Sequence, residues 1–414
     1  MRAHFSSSIH RLIVFVAASL VALGLCASPS FAQGKYEPGG DAVYHGAGLP
    51  DYWSENKLSQ NVNRYKQLSG KNLAVITWFA SLYEKGDKTS WPQNYAHNLA
   101  RIKRMGDVSL IKFSTNDPAY EGNHKMASPP DITRGIYDAY FNQFADTIKD
   151  FGDPVFISIN HEMNGNWYPY SQDYPGTNFT AADYIAMWKH IVTLFRSRGA
   201  NNVAWVWAPN VPDVNGVPAD AYYPGDTYVD WIGPSFYSGN QLNAMDNLYR
   251  TYASRKPFFI TEWATSPEKN KWNSAFPGEA QWVAGFFEAL QKRYPRVKGI
   301  SWFEWKKDDG DHRLERVPGQ QQSYAAQVKD ARYLDDASGL INPPPGGVVV
   351  PRREVVPQEI ILPDRTTTQN VAVQNVPVRA PVQTTPVQTT PTRGSLRDRL
   401  KLTVAPSQNV PVQR

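Results

Sequence analysis

The chain has 414 residues, enough for one large domain with appendages, and a net charge of +5 that sits at its ends. Residues 341–414 carry nine Arg and Lys against four Asp and Glu, residues 1–32 add Arg2 and Arg11, and residues 33–340 hold 32 basic against 34 acidic side chains. The near-neutral body excludes a basic nucleic-acid-binding domain, and the single cysteine, Cys26, excludes disulfide scaffolds and thiolate metal sites from everything after it.

Residues 1–32 open with the basic stretch "MRAHFSSSIHR", continue with the apolar run "LIVFVAASLVALGL", and end on "SPSFA" with small residues at Ser30 and Ala32. This pattern predicts a secretory signal peptide cleaved after Ala32, and so a secreted or periplasmic protein with no membrane span once processed. Cys26 follows "LGL", a poor context for lipid attachment.

Eight short β-rich runs follow: "AVYHG" from Ala42, "LAVITWF" from Leu73, "VSLIKFS" from Val108, "VFISI" from Val155, "VAWVWAP" from Val203, "YVDWIGPSF" from Tyr228, "PFFITEW" from Pro257 and "GISWFEW" from Gly299. Most gaps between them show helical period. "SENKLSQNVNRYKQLSG" predicts a helix from a capping Ser54 to Gly70, and "YAHNLARIKRMG" places Leu99, Ile102 and Met105 on one face. In "GIYDAYFNQFADTIKDFG" the stripe is Ile136, Tyr140, Phe144 and Ile148; in "ADYIAMWKHIVTLFRSRG" it is Tyr184, Trp188, Ile191 and Phe195. A further helix, "EAQWVAGFFEALQKRYP", stops at Pro295.

Alternating strands and helices imply parallel strands joined by right-handed crossovers, and eight such units close most economically into a (β/α)8 TIM barrel over residues 33–340. The other candidate, a doubly wound open sheet, wants a glycine-rich phosphate turn after its first strand, and "YHGAGLPDYW" lacks that spacing. Beyond residue 340 the proline-rich, aromatic-free stretch with the repeat "PVQTTPVQTTP" predicts a disordered, basic C-terminal tail over residues 341–414.

In a barrel of this kind the active site sits at the carboxyl ends of the strands, where Glu162 ends the fourth run and Glu262 the seventh. Burying a carboxylate costs several kcal/mol, about, unless it is paired or protonated, so two of them at matching strand ends call for a chemical reason. Glycoside cleavage supplies one, since one carboxyl must protonate the leaving oxygen while the other attacks or activates water. Other chemistries lack their signatures. "HEMNG" has Gly165 where a zinc-binding helix needs a second histidine, "GPSFYSG" is no nucleophile elbow, and no phosphate-binding loop occurs, so no metal or cofactor is implied. His45 and His190 read as scaffold residues.

Aromatic side chains at strand ends are candidates for stacking on pyranose rings: Trp91, Tyr170, Trp205, Trp207 and Trp263, each with core packing as its alternative. Trp205 and Trp207 share one face of their strand, which favours packing for at least one of them. Asn164 and Asn210 read equally as sugar ligands or as turn formers.

At these residues the chain resembles a known family. "HEMNGNWYPY", "VAWVWAPN", "KPFFITEWA" and "GISWFEWKKDDGDHRLE" are similar to the corresponding segments of family 26 glycoside hydrolases, across residues 42–319. The resemblance implies that Glu162 is the acid/base and Glu262 the nucleophile of a retaining, double-displacement reaction. It further implies that His161 stands beside the acid/base, that Trp167 and Trp302 line the sugar sites, and that Tyr237, with Tyr228 nearby as the other choice, hydrogen-bonds the nucleophile. The implied activity is that of an endo-acting β-glycanase on β-1,4-mannan, with mixed-linkage β-glucan or β-1,3-xylan as other substrates and a non-catalytic glycan-binding or polysaccharide-assembly role as the alternative class. The expected partner is a polysaccharide, with no nucleic acid, and the expected state is a monomer.

Overall fold

The computed structural model describes residues 34–341, apart from 85–87, 90–91, 117–125, 215, 272–273 and 309. The predicted leader, Trp91 and the tail beyond residue 341 therefore lie outside the described residues.

Eight parallel strands close on themselves, as the spacing predicted. They are β1 (Val43–Gly48), β2 (Val75–Ser81), β3 (Val108–Ser114), β4 (Val155–Ile159), β5 (Val203–Trp207), β6 in two pieces (Trp231–Ile232 and Ser235–Tyr237), β7 (Phe258–Ala264) and β8 (Val297–Phe303). Pairing of β8 with both β7 and β1 completes the ring. The helices wrapped outside are α1 (Glu55–Ser69), α2 (Gln93–Arg104), α3 (Asp138–Phe151), α4 (Ala181–Ser197), α5 (Asp246–Tyr252), α6 (Glu279–Lys292) and α7 (Pro318–Val328). Between β5 and β6 the chain makes two 3-10 turns, Ala219–Tyr222 and Asp226–Tyr228.

Strand period divides the apolar side chains into two cores. Val75, Val108, Leu110, Phe156, Ala204, Val206, Trp231 and Phe259 fill the barrel itself. Their strand neighbours turn outward to the helices: Ile111 and Phe113 of β3, Trp205 and Trp207 of β5, Trp263 of β7 and Trp302 of β8. The α4 stripe Tyr184, Trp188, Ile191 and Phe195 is enclosed as expected, each such side chain contributing about 1.5–3 kcal/mol through burial. Its first turn is fixed by a capping box between Thr180 and Asp183.

Two local expectations are corrected. Ile136 precedes α3 and is exposed, because the chain turns at Gly135 and the helix begins at Asp138. Ser54 does occupy the N-cap of α1 but makes no side-chain cap bond, while Gly70 closes the other end in the left-handed region. His45 and His190 are scaffold residues as read: His45 bridges the Asn72 carbonyl (2.6 Å) and the Tyr324 hydroxyl (2.9 Å), and His190 pairs with Asp138 at 2.6 Å.

Candidate active site

β3 explains the centre of the site. Its inward positions are Val108, Leu110 and Lys112, so strand period alone carries a lysine into the barrel, with no exposed side-chain surface. The ammonium of Lys112 ends 2.6 Å from Glu262 Oε2 and 5.6 Å from the centre of the Phe79 ring.

Glu262 reaches that point through an irregularity. Between Ile260 and Trp263 β7 spends one residue more than β8 spends between Ile300 and Trp302, a β-bulge that lets both Thr261 and Glu262 face inward while Trp263 faces the helices. The second oxygen, Oε1, accepts a hydrogen bond from the Tyr237 hydroxyl at the end of β6. Burial pushes the Glu262 carboxyl up, but the charge and hydrogen bond of Lys112, with His161 and Tyr237, outweigh it and bring the group down to about 2. Tyr237 moves the opposite way: burial and then the negative charges of Glu262 and Glu162 hold its hydroxyl well above the usual phenol range. Both carboxyls thus act on one hydroxyl. Lys269 sits over the Tyr237 ring at 3.9 Å. Tyr228 is elsewhere, flanked by Lys189 and Arg196.

Glu162 is presented by a strained turn. Asn160 (φ +48°) and Glu162 (φ +57°) both adopt left-handed backbone that non-glycine residues enter at a cost of about 1 kcal/mol or more. The turn is held by Asn160, whose side chain exchanges hydrogen bonds with Thr115 (2.9 and 3.0 Å), and by the Glu162 amide, which donates to the Ala208 carbonyl at 2.7 Å. The Trp167 indole donates to Glu162 Oε2 at 2.9 Å, with 41% of the residue exposed. A Cβ on Gly165 would stand 2.5 Å from that ring, so the glycine of "HEMNG" makes room for Trp167 to fold back over the carboxylate.

His161 is buried beneath. Its Nε2 meets the Tyr168 hydroxyl at 3.1 Å, and its Nδ1 is buried without a protein hydrogen-bond partner. Burial, then the charge of Lys112, hold the imidazole well below its usual range and therefore neutral. Tyr170, stacked on Tyr168, donates to the His161 carbonyl at 2.7 Å and so supports the turn from below.

Several aromatic candidates do not face the site. Trp205 packs on Trp188 and Phe195, Trp207 on Tyr223 and Tyr252, and Trp263 lies flat on Phe286 at 3.9 Å. Trp302 is fully enclosed, edge-on to Trp263, with its indole donating to the His312 carbonyl at 3.0 Å. All four occupy outward positions of their strands, which corrects their expected sugar-binding role. The rings at the mouth are instead Phe303, which stacks with Trp305 (13° between planes), and Phe79, edge-on to Phe303, Trp305 and His161. Asn164 and Asn210 resolve as turn formers: the Asn164 amide donates to the Asn210 carbonyl (2.9 Å) and to Asp213 (2.8 Å) and accepts from the Asn210 amide (2.8 Å).

Sequence reasoning passed over Lys112, Phe79, Tyr168 and Trp305. The signal for Lys112 was present, since a lysine two and four residues after Leu110 and Val108 shares their inward face.

A closed parallel barrel carrying two carboxyls in contrasting settings at its C-terminal mouth is the architecture of a (β/α)8 glycosidase. The sequence pattern described as "Glycosyl hydrolase family 26" matches residues 106–307. The chain is 29% identical over 280 residues to Endoglucanase H of Acetivibrio thermocellus, covering 64% of this chain and 29% of that protein. It is 30% identical over 274 residues to "Mannan endo-1,4-beta-mannosidase A and B" of Caldalkalibacillus mannanilyticus, covering 60% of this chain and 51% of that one. The chain thus spans about half, or less, of the length of these relatives. In fold it is similar to the solved Bacillus subtilis mannanase BCman, with a TM-score of 0.52 at 19% identity, covering 73% of this chain and 89% of that one. The family match and these relatives support a family 26 glycoside hydrolase, and the structural likeness supports its barrel fold.

Proposed function

We propose that this protein is an exported endo-β-glycanase that cleaves β-1,4-mannan with retention of anomeric configuration. The observation that carries the reading is the contrast between the two carboxyls at the mouth, Glu262 held anionic between Lys112 and Tyr237 and Glu162 capped by the Trp167 indole. Export rests on the leader pattern of residues 1–32.

In the first step an oxygen of Glu262 forms a bond to the anomeric carbon while the bond from that carbon to the bridging oxygen breaks, and Glu162 gives its proton to that oxygen as it leaves. The glycosyl ester has no charge on Glu262. Glu162, now a carboxylate, takes a proton from water as the water oxygen attacks the same carbon and the ester bond breaks. Lys112 and Tyr237 stabilise the Glu262 carboxylate as it is released. Their stabilisation makes Glu262 a weaker nucleophile but a better leaving group, so their largest benefit falls on the second step. His161, neutral and buried, packs edge-on against Phe79, and Phe79, Phe303 and Trp305 give the sugar ring an apolar wall.

Mannan is favoured by the mannosidase relative. Mixed-linkage β-glucan is the second reading, supported by the endoglucanase relative, whose alignment spans more of this chain. The test is release of reducing ends from mannan, glucomannan, barley β-glucan and β-1,3-xylan, with Glu262→Ala as control. Hydrolysis of mannan that disappears in the variant supports the reading. Hydrolysis of glucan or xylan alone replaces mannan as substrate, and hydrolysis of none by folded protein leaves the binding or assembly role.

A further inference from the structure

Among the described residues two tryptophans are exposed, Trp167 (41%) beside Glu162 and Trp53 (55%). Trp53 lies on the loop that leaves β1 and enters α1, and so at the same end of the barrel as the two carboxyls. An indole left in water contributes little to folding, yet the loop that carries this one is fastened from two helices. Asn61 of α1 donates to the Pro50 carbonyl at 3.0 Å, and Arg101 of α2 donates to the Tyr52 carbonyl at 3.2 Å. Asp51 takes a left-handed backbone (φ +60°), and its carbonyl accepts from the Ser54 amide at 3.0 Å, which makes a tight turn around the two aromatics. Tyr52 is wedged against the enclosed Trp78 (5.5 Å), and Trp53 meets Tyr52 edge-on at 5.0 Å. The loop thus fixes Trp53 while leaving its surface open.

Position gives the ring a side. β1 and β4 are three strands apart in the ring of eight, so the loops that follow them stand across the mouth from each other. Trp167 contacts the carboxyl that protonates the leaving group, which places it on the side of the departing chain. Trp53 then lies on the side of the sugars that remain bonded to the nucleophile.

We propose that Trp53 is a distal sugar platform on which a pyranose ring of the retained chain stacks, some residues beyond the sugar attached to Glu262. The inference rests on the glycanase reading and deepens it: a rigid apolar face at that distance rewards long chains and favours cleavage inside them. The occupant is one sugar unit of the polymer being cut. Its hydroxyls stay in water while its C–H face covers the indole.

The test compares parent and Trp53→Ala in two measurements. The first is kcat/KM on oligosaccharides of increasing length and on polymer; the second is retardation of Glu262→Ala, with and without the Trp53 substitution, in gels containing the polymer that the parent cleaves. The expected result is a loss of about tenfold on polymer and long oligosaccharides, carried by KM, that shrinks as the chain becomes too short to span the mouth, with weaker retardation and an unchanged unfolding temperature. Trp53→Phe should recover most of the loss. Equal kcat/KM for parent and Trp53→Ala on every length, or an equal loss on all lengths, overturns the platform while leaving the glycanase reading intact. A parent that neither cleaves nor is retarded by any polymer overturns both.

Discussion

Lys112 on the third strand and Glu262 on the seventh form a buried ion pair across the barrel, 2.6 Å from ammonium to carboxylate, at the point where the nucleophile is expected to act. The lysine has no exposed side-chain surface, so its charge is poorly screened and is directed at one oxygen.

Replacing Lys112 by Met leaves Glu262 with its burial and without its chief counter-charge, and the carboxyl pKa must rise. The parent keeps Glu262 ionised down to about pH 2, so the acidic limb of its kcat/KM profile is not set by this group. In the variant the limb should move upward by more than one pH unit, with activity near neutrality down about a hundredfold. Stability follows the same sign: the pair's contribution is complete above the ordinary carboxylate range and is lost as pH falls toward 2. A pH–rate profile from 3 to 8 and unfolding temperatures over the same range check both, with Lys112→Arg testing whether a cation alone suffices.

Tyr237→Phe removes one hydroxyl and keeps the ring beneath Lys269. The loss of a charge-assisted hydrogen bond predicts a fall in kcat of about tenfold to a hundredfold with an unfolding temperature near the parent's. Because the bond supports Glu262 as it departs, glycosyl-enzyme should accumulate in a pre-steady-state burst.

For Glu162→Ala the outcome depends on the leaving group. Polysaccharide, whose departing oxygen needs a proton, should lose about a thousandfold or more in rate. An aryl glycoside with an acidic phenol needs no such help in the first step and should show a fast burst followed by slow turnover, which added azide accelerates by replacing water. A uniform loss on both substrates would remove the acid role from Glu162.

The tryptophans divide into two groups with opposite signatures. Trp263→Ala deletes a fully buried ring stacked at 3.9 Å on Phe286 and should destabilise by about 3–5 kcal/mol in denaturant unfolding. Trp167→Ala should change stability by less than about 0.5 kcal/mol while lowering activity, since its ring is exposed and its indole contacts Glu162.

These contrasts also mark where sequence sufficed. "VSLIKFS" and "VFISI" became strands with the limits they were read with, and α4 buries the stripe expected of it, because local period and burial agree there. Glu162 and Glu262 were legible as strand-end carboxyls. The facing of the aromatics was less so. "ISWFEW" offers three rings, and only the register of β8 shows that Trp302 turns to the helices while Phe303 and Trp305 border the mouth. Alternation alone would also have placed Thr261 and Glu262 on opposite faces, and the bulge that brings them together shows only in the pairing of β7 with β8. Lys112 was hidden for a different reason: an apolar strand invites a reading as core, and the lysine's partner lies 150 residues further along the chain.

The most direct test of the account is covalent trapping with a 2-deoxy-2-fluoro glycoside that carries a dinitrophenyl leaving group and matches the polymer the enzyme cleaves. The fluorine slows both steps, and the good leaving group restores the first, so the glycosyl-enzyme accumulates. The account predicts a mass increase of one fluoroglycosyl unit, mapped by peptide sequencing to Glu262 and absent from Glu262→Ala. An adduct on another residue, or none under conditions in which the protein hydrolyses its polymer, would contradict it.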